Sequence, residues 1–450
     1  HGRSKGSPPS SSQEKPIGAI FSPREPASSA WAEEFARTKS IFVQGFLAYD
    51  WYKTIDPVAR VEGDRIQLLG YYRYPVAATY EKIPRRFRLL NVLCELDSPG
   101  EWYFDKDSQR LLLWPPVAFD EAASISVWST ATLIQLKGAS HVVVRGLTVE
   151  SCRGEPIRVA GGTGNLIAGC TIRNCGGGVR IAGGTNNGIT GCDIFDVGGS
   201  HIAIAGGTAN AQEITPAGNF ATNNHLTQTA HDGERGVRIG GVGNIFRHNL
   251  IHDFLGQAIV YGGNDHLIEF NEIYNVGIEE GDGGASYCGA QMWSYGNVLR
   301  HNFYHHLICI PQAHPRGGLY LDDFDAGETV YGNVFYKAAH RAVLFNNGAA
   351  NHADNNLFVH CYIGIYNTSA YTEKARKMVR QYDSGELRRG DKMDYVWRAE
   401  QVVGPKGWDR PPWSTKYPLF AKVMNNDPYL PLECRFANNM FCENQQRFQY

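Results

Sequence analysis

The stretch Asn249-Leu250-Ile251-His252-Asp253-Phe254-Leu255-Gly256-Gln257-Ala258-Ile259-Val260-Tyr261-Gly262-Gly263 decides the fold. It opens on an asparagine with a short strand behind it, turns, gives a second strand at Ile259-Val260-Tyr261, and stops at a glycine pair. The pattern restarts at Asn271-Glu272-Ile273. Read outward in both directions, the same opening recurs. It appears at Leu147-Thr148-Val149, Cys170-Thr171-Ile172, Cys192-Asp193-Ile194 and Asn224-His225-Leu226. It continues at Asn302-Phe303-Tyr304, Asn333-Val334-Phe335, Asn356-Leu357-Phe358 and Asn439-Met440-Phe441. The basic period is 22 to 23 residues, with three rungs of 31 or 32.

A second strand follows in each rung, as in Ile157-Arg158-Val159, Val179-Arg180-Ile181, Val237-Arg238-Ile239 and Leu319-Tyr320-Leu321. Successive side chains of a strand point to opposite faces, so the aliphatic pair turns inward and the middle residue outward. Glycine pairs at 161–162, 183–184, 206–207, 240–241 and 262–263 supply bends that need positive φ. Short strands at this period, with no helix between them, predict an all-β fold: a right-handed parallel β-helix, a solenoid of stacked rungs. A leucine-rich repeat would show a leucine framework, and a propeller about 40 residues per blade. The asparagines at 224, 249, 271, 302, 333 and 356 predict an inward amide ladder, each side chain bonding the next across about 4.8 Å.

Composition agrees. The chain has 450 residues, of which 43% are hydrophobic and 20% charged, which excludes global disorder. A formal charge of −2 argues against a strongly basic nucleic-acid binder, and no apolar run is long enough for a membrane helix. Ten cysteines without a CxxC pair read as small buried thiols rather than a zinc ribbon. Residues 1–15 are Ser/Pro/Lys-rich and read as a loose segment, 16–127 as a β-rich N-terminal accessory region, and 128–450 as the β-helix catalytic domain. An excursion at 368–425 carries a helical stretch near 371–384. The sequence starts at His1-Gly2-Arg3 without a signal-peptide pattern, and the expectation is a trimmed form of a secreted or periplasmic protein. Trp102 and Trp114, among apolar neighbours, are expected in the core.

The three longer rungs point to a working face, because loops added to a rigid solenoid usually form its binding surface. Their extra residues are assigned to the bend between the first and second strands: 228–235 with His231 and Asp232, 277–284 with Glu279, Glu280 and Asp282, and 307–318 with His314 and Arg316. Asp322 and Asp323 follow the strand Gly318-Leu319-Tyr320-Leu321. If Leu319 and Leu321 face inward, Tyr320 and Asp322 face the groove, one rung from Asp282. Two carboxyls about 6.5 to 9.5 Å apart suit an inverting glycosidase, one protonating the leaving oxygen and the other activating water. Crowding by Glu279 and Glu280 favours Asp282 as the acid. Around the pair, Tyr287, Gln291, Trp293 and Tyr320 are expected substrate contacts, with Tyr295 as a further sugar platform. His305, His306, His314 and Arg316 are expected donors to hydroxyls or a carboxylate. The plain alternative for each aspartate beside glycine is a turn former. Asp323-Phe324-Asp325-Ala326-Gly327 also resembles a fragment of a calcium loop, so calcium near Asp323 and Asp325 stands beside the expectation of no metal site and no cofactor.

Two segments carry a resemblance. Leu96-Asp97-Ser98-Pro99-Gly100-Glu101-Trp102-Tyr103-Phe104-Asp105, running on to Leu113-Trp114-Pro115-Pro116, resembles the N-terminal region of bacterial β-helix glycoside hydrolases. Gly281-Asp282-Gly283-Gly284-Ala285, with Gly318-Leu319-Tyr320-Leu321-Asp322-Asp323, resembles their active-site region, most closely glycoside hydrolase family 141, which includes α-L-fucosidase and xylanase activities. The resemblance implies a catalytic pair of aspartates about forty residues apart, matched here by Asp282 with Asp322 or Asp323. It implies a carbohydrate substrate, plant-type or another complex glycan. Cys288-Gly289-Ala290-Gln291 and 368–425 depart from it. Two other classes stay open: a polysaccharide lyase, for which His314 and Arg316 would serve, and a non-catalytic carbohydrate-binding solenoid. Three crowded loops on one edge favour a pocket and exo action.

Overall fold

The computed structural model describes residues 17–21, 29–63, 65–69, 74, 85–118, 125–228, 235–307, 316–387, 390 and 394–449. The chain forms two compact units, one up to Ser126 and a larger one from Val127.

The smaller unit holds a five-stranded antiparallel sheet in the order Ile17–Phe21, Arg65–Leu69, Thr54–Glu62, Phe42–Phe46, Arg86–Leu90. Ile41, Val43, Leu47, Val58, Ile66 and Leu68 form its core, with Trp31 and Phe35 of the helix Ser29–Thr38 against it. A hairpin pairs Trp102–Asp105 with Arg110–Leu113. Here the expectation for the tryptophans fails. Trp102 is 61% and Trp114 46% exposed, while Tyr103 is buried. Alternation explains the reversal: in a two-stranded ribbon only one face is covered, and Tyr103 takes it.

The larger unit is a parallel β-helix. Three sheets of ten, eleven and ten strands run its length, every pair within them parallel. The first contains Thr148–Cys152, Leu250–Phe254 and Phe303–Leu307; the second Ile157–Ala160, Gln257–Tyr261, Gly284–Gly289, Gly317–Asp322 and Arg341–Asn346; the third Val143–Arg145, Ile245–Arg247 and Thr329–Tyr331. Each rung contributes one strand to each sheet, so the repeat stacks Ile157 on Val179 and Leu250 on Glu272 in register.

The interior follows the sequence pattern. Aliphatic side chains fill it at the early rungs, and Tyr304, Phe335, Phe358 and Phe441 continue it as a column of stacked rings 4.9 to 5.1 Å apart. The amide ladder is present. Asn224, Asn249, Asn271, Asn302, Asn333 and Asn356 each donate from Nδ2 to Oδ1 of the next, ending on Asn439, at 2.9 to 3.1 Å. Each backbone N–H of the column also donates to the next Oδ1, so every amide satisfies its buried bend. At earlier rungs the buried thiols of Cys170 and Cys192 take the same column. The described cysteines are all free.

A second column, not foreseen, lines the bend between the second and third sheets. It runs through Asn165, Asn187 and Asn219, then Asn244, His266, Asn297, Glu328 and Asn351.

The extra residues of the first long rung also lie elsewhere than expected. They form the small hairpin Thr208–Ala209 with Ile214–Thr215, after the second strand. The loop 229–234, with His231 and Asp232, belongs to an ordinary 25-residue rung and lies outside the described residues. In the excursion, Asp394 caps the helix Tyr395–Val403 by accepting from the Trp397 N–H, and Gly404 ends it at positive φ. With the helices Thr372–Asp383 and Pro418–Met424 it builds a second core. Trp413, Tyr417 and Phe420 pack there on Met292, Tyr295, Phe324 and Ala326. Trp413 Nε1 also donates to the Asn210 carbonyl at 2.7 Å.

Candidate active site

The outward face of the second sheet carries one register column. It reads Arg158, Arg180, Ala203, Arg238, Val260, Tyr287, Tyr320, Leu344 and Tyr366. A basic stretch, in which Arg180 is paired with Glu155 at 3.1 Å, thus gives way to aromatic rungs. Tyr287 and Tyr320 meet edge to face at 5.5 Å.

Asp322 stands two residues after Tyr320 and pairs with Gly289 of the neighbouring strand. A side chain at Gly289 would meet the Tyr287 hydroxyl at 2.8 Å and Asp322 Cβ at 3.1 Å. The glycine therefore makes room for Tyr287 to fold along its own strand and donate to Asp322 Oδ2 at 2.9 Å. Asp322 Oδ1 accepts from Asn346 Nδ2 at 2.7 Å and from the Asp323 N–H at 2.8 Å. Burial pushes the Asp322 carboxyl up to about 7, and the nearby carboxylates of Asp323 and Asp282 push the same way. Asn346 and Tyr287 oppose the rise by bonding the charged form.

Asp282 reaches this group from the other end of the strand. It precedes Gly284, which pairs with Gly317, and has φ +37°. Its charge acts on Asp322, Tyr287 and Tyr320, and also on Tyr371 at the start of the excursion. Asp323 turns the other way, with φ +47°, and its carboxylate bonds Tyr395. Burial and these acids together raise the Tyr287, Tyr320 and Tyr371 hydroxyls, so all three are neutral donors at ordinary pH.

The other expected contacts divide. Tyr287, half-buried, lies in the groove, and Tyr320, 4% exposed, forms its floor. Gln291 accepts from the Gly263 N–H at 3.0 Å and helps line an open cavity of about 390 Å³ with Arg238, Gly240, Val260 and Gly262. Val260 stands in register with Tyr287 and Tyr287 with Tyr320, so this cavity begins two strands from the one that carries Asp322. Glu279 is half-buried and Glu280 buried. Arg316 is not a groove residue: it is 2% exposed and donates to the carbonyls of Gly277 and Glu280 at 3.0 and 2.6 Å, holding the Asp282 loop from beneath. A side chain at Gly277 would strike its guanidinium at 2.0 Å.

Trp293 packs at the edge of the second core with Arg398 over its ring, and Tyr295 is buried in that core. His305 and His306 belong to the strand Phe303–Leu307 of the first sheet, a different face, because a bend separates them from the second-sheet groove. His314 lies outside the described residues. Asp325 is fully buried beside Cys288, and Asp323 bonds Tyr395.

Asn346, Tyr371 and Tyr395 were missed. Asn346 left a signal, since it follows Val343-Leu344-Phe345 as Asp322 follows Leu319-Tyr320-Leu321. The two tyrosines sit in the non-repeating excursion, which has no register to read.

A family model described as "Right handed beta helix region" matches residues 123–233. No curated protein matches the chain. One solved structure similar to it is titled "Glycoside hydrolase", at 13% identity and TM-score 0.44, covering 92% of this chain and 70% of that one. The fold is a right-handed parallel β-helix, as the repeat predicted.

Proposed function

We propose that the protein is a glycoside hydrolase that cleaves a glycosidic bond in a plant-type or other complex glycan, with Asp322 as general acid. The observation that carries this reading is the Asp322 carboxyl itself. Burial first, then the charges of Asp323 and Asp282, raise it to about 7, and it stands at the end of a strand in the register column of Tyr287 and Tyr320. A general acid needs a pKa near the working pH and a fixed position. The proton is assigned to Asp322 rather than to Asp282 because burial and two neighbouring acids raise Asp322. Asp282 becomes the base that activates water, with Asp323 in reserve. Their approach from opposite strand ends suits a water held between them and an inverting course. The cavity beside Gln291 would take a sugar unit, and Tyr371 and Tyr395 close the site on one side, in keeping with exo action. A secreted or periplasmic setting fits a glycan substrate.

The test is a panel of aryl glycosides and plant-wall oligosaccharides. New reducing ends without the absorbance of an unsaturated uronate support hydrolysis. That absorbance would mark a lyase, and binding with neither product a carbohydrate-binding solenoid.

A further inference from the structure

Directly beneath the groove the chain buries two carboxylates and a thiol. Cys288 is the residue after Tyr287, and Asp325 donates its N–H to the Asp322 carbonyl at 3.1 Å. Glu328 occupies the second interior column, where its neighbours on adjacent rungs are Asn297 and Asn351. An amide would serve that column without charge. Cys288, Asp325 and Glu328 are each fully buried, and one ligand atom of each lies within 4.8 Å of the others. Asp325 Oδ2 has no hydrogen-bond partner.

We propose that Cys288, Asp325, Glu328 and Ser294 form a buried site for a zinc-type divalent cation. This inference stands apart from the glycosidase reading. Tetrahedral zinc, with bonds of about 2.0 Å to oxygen and about 2.3 Å to sulfur, sets oxygen–oxygen pairs about 3.3 Å apart and sulfur–oxygen pairs about 3.5 Å apart. Here Ser294 Oγ lies 3.3 Å from Glu328 Oε1. Cys288 Sγ lies 3.2 Å from Asp325 Oδ1 and 3.8 Å from Ser294 Oγ.

The hydrogen-bond balance points the same way. Ser294 has one hydroxyl hydrogen, and the Gly263 carbonyl takes it at 2.8 Å. Glu328 Oε1 lies 3.3 Å from the same Oγ, so one hydroxyl hydrogen serves two acceptors, and a cation or a proton on Glu328 makes up the difference. The outer contacts are donors. Asn297 Nδ2 donates to Glu328 Oε1 at 2.8 Å and to Ser294 Oγ at 3.0 Å, and the Tyr261 hydroxyl to Glu328 Oε2 at 3.2 Å. Such donors orient ligands and offset the surplus negative charge of one thiolate and two carboxylates. The soft sulfur favours zinc over calcium or magnesium. The ion would rivet the turn after Asp322 to the strand that carries Tyr287.

The test uses the full chain without a histidine tag, expressed and refolded with zinc, then dialysed against a weak chelator. Elemental analysis is expected to find close to one zinc per chain. Cobalt in its place should give a sulfur-to-cobalt charge-transfer band that Cys288→Ser abolishes. Asp325→Asn should cut zinc retention at least about tenfold. Wild type with less than about a tenth of an equivalent of metal and no cobalt band would overturn the proposal. So would full retention in a folded protein carrying both substitutions. If neither variant folds, the wild-type zinc content and cobalt band decide alone.

Discussion

Tyr287 donates to Asp322 across two paired strands, over a glycine that leaves the path open. The bond favours the ionised carboxylate, against burial and two neighbouring acids. Its loss in Tyr287→Phe should raise the Asp322 pKa further and move the alkaline limb of the pH–rate profile upward. A rate loss of about threefold to tenfold is expected, with the fold intact. A pH–rate series on the best panel substrate measures both. An unmoved limb would remove Tyr287 from the site's electrostatics.

Asp322 also sets a pH dependence of stability. Its folded pKa is raised from 3.8 to about 7, so its contribution is full below the unfolded value and is lost as pH rises through 7. Asp322→Asn does not titrate. The melting temperature of the variant relative to wild type should therefore climb between pH 5 and 8, by at least about 2 °C. A constant difference across that range would mean that Asp322 is not held protonated.

Arg316 is expected to act on catalysis only through the loop it holds. Arg316→Ala leaves the buried carbonyls of Gly277 and Glu280 without their donor, a cost of about 2 to 4 kcal/mol for two such groups. Arg316→Lys should recover little, since one ammonium cannot reproduce the fork. Gly277→Ala should destabilise comparably, through positive φ and the clash with the guanidinium. Denaturant melts would show this. A stable Arg316→Ala protein that fails only in substrate binding would return Arg316 to the groove.

The ladder makes a prediction about residue choice. Asn271→Ala leaves the Asn249 N–H without its acceptor and removes the side-chain bonds that Asn249 Nδ2, the Phe246 carbonyl and Asn302 Oδ1 make to that amide. A loss of about 3 kcal/mol or more is expected. Asn271→Cys should cost less, because Cys170 and Cys192 hold that column at earlier rungs. Equal losses would mean that the column tolerates only amides.

The β-helix was legible because its cause is periodic. A strand buries alternate side chains whatever its neighbours, so Asn249, Asn271 and Asn302 announce themselves at fixed spacing. Asp322 and Tyr320 were legible for the same reason, lying on a strand whose inward leucines set the phase. What failed was aperiodic. Arg316 reads as a groove donor until the loop it supports is seen to fold over it. Trp102 reads as core until the hairpin leaves its face uncovered. Tyr395 reaches Asp323 only through a helix more than seventy residues downstream in sequence, and no local pattern reports that contact.

The most direct measurement is turnover of purified Asp322→Asn on the substrate that the glycoside panel identifies. Asparagine keeps the shape and removes the proton, so the circular dichroism spectrum should match wild type while the rate falls at least about 10²-fold. A folded Asp322→Asn enzyme that keeps more than about a tenth of wild-type turnover would contradict the assignment of Asp322 as the acid.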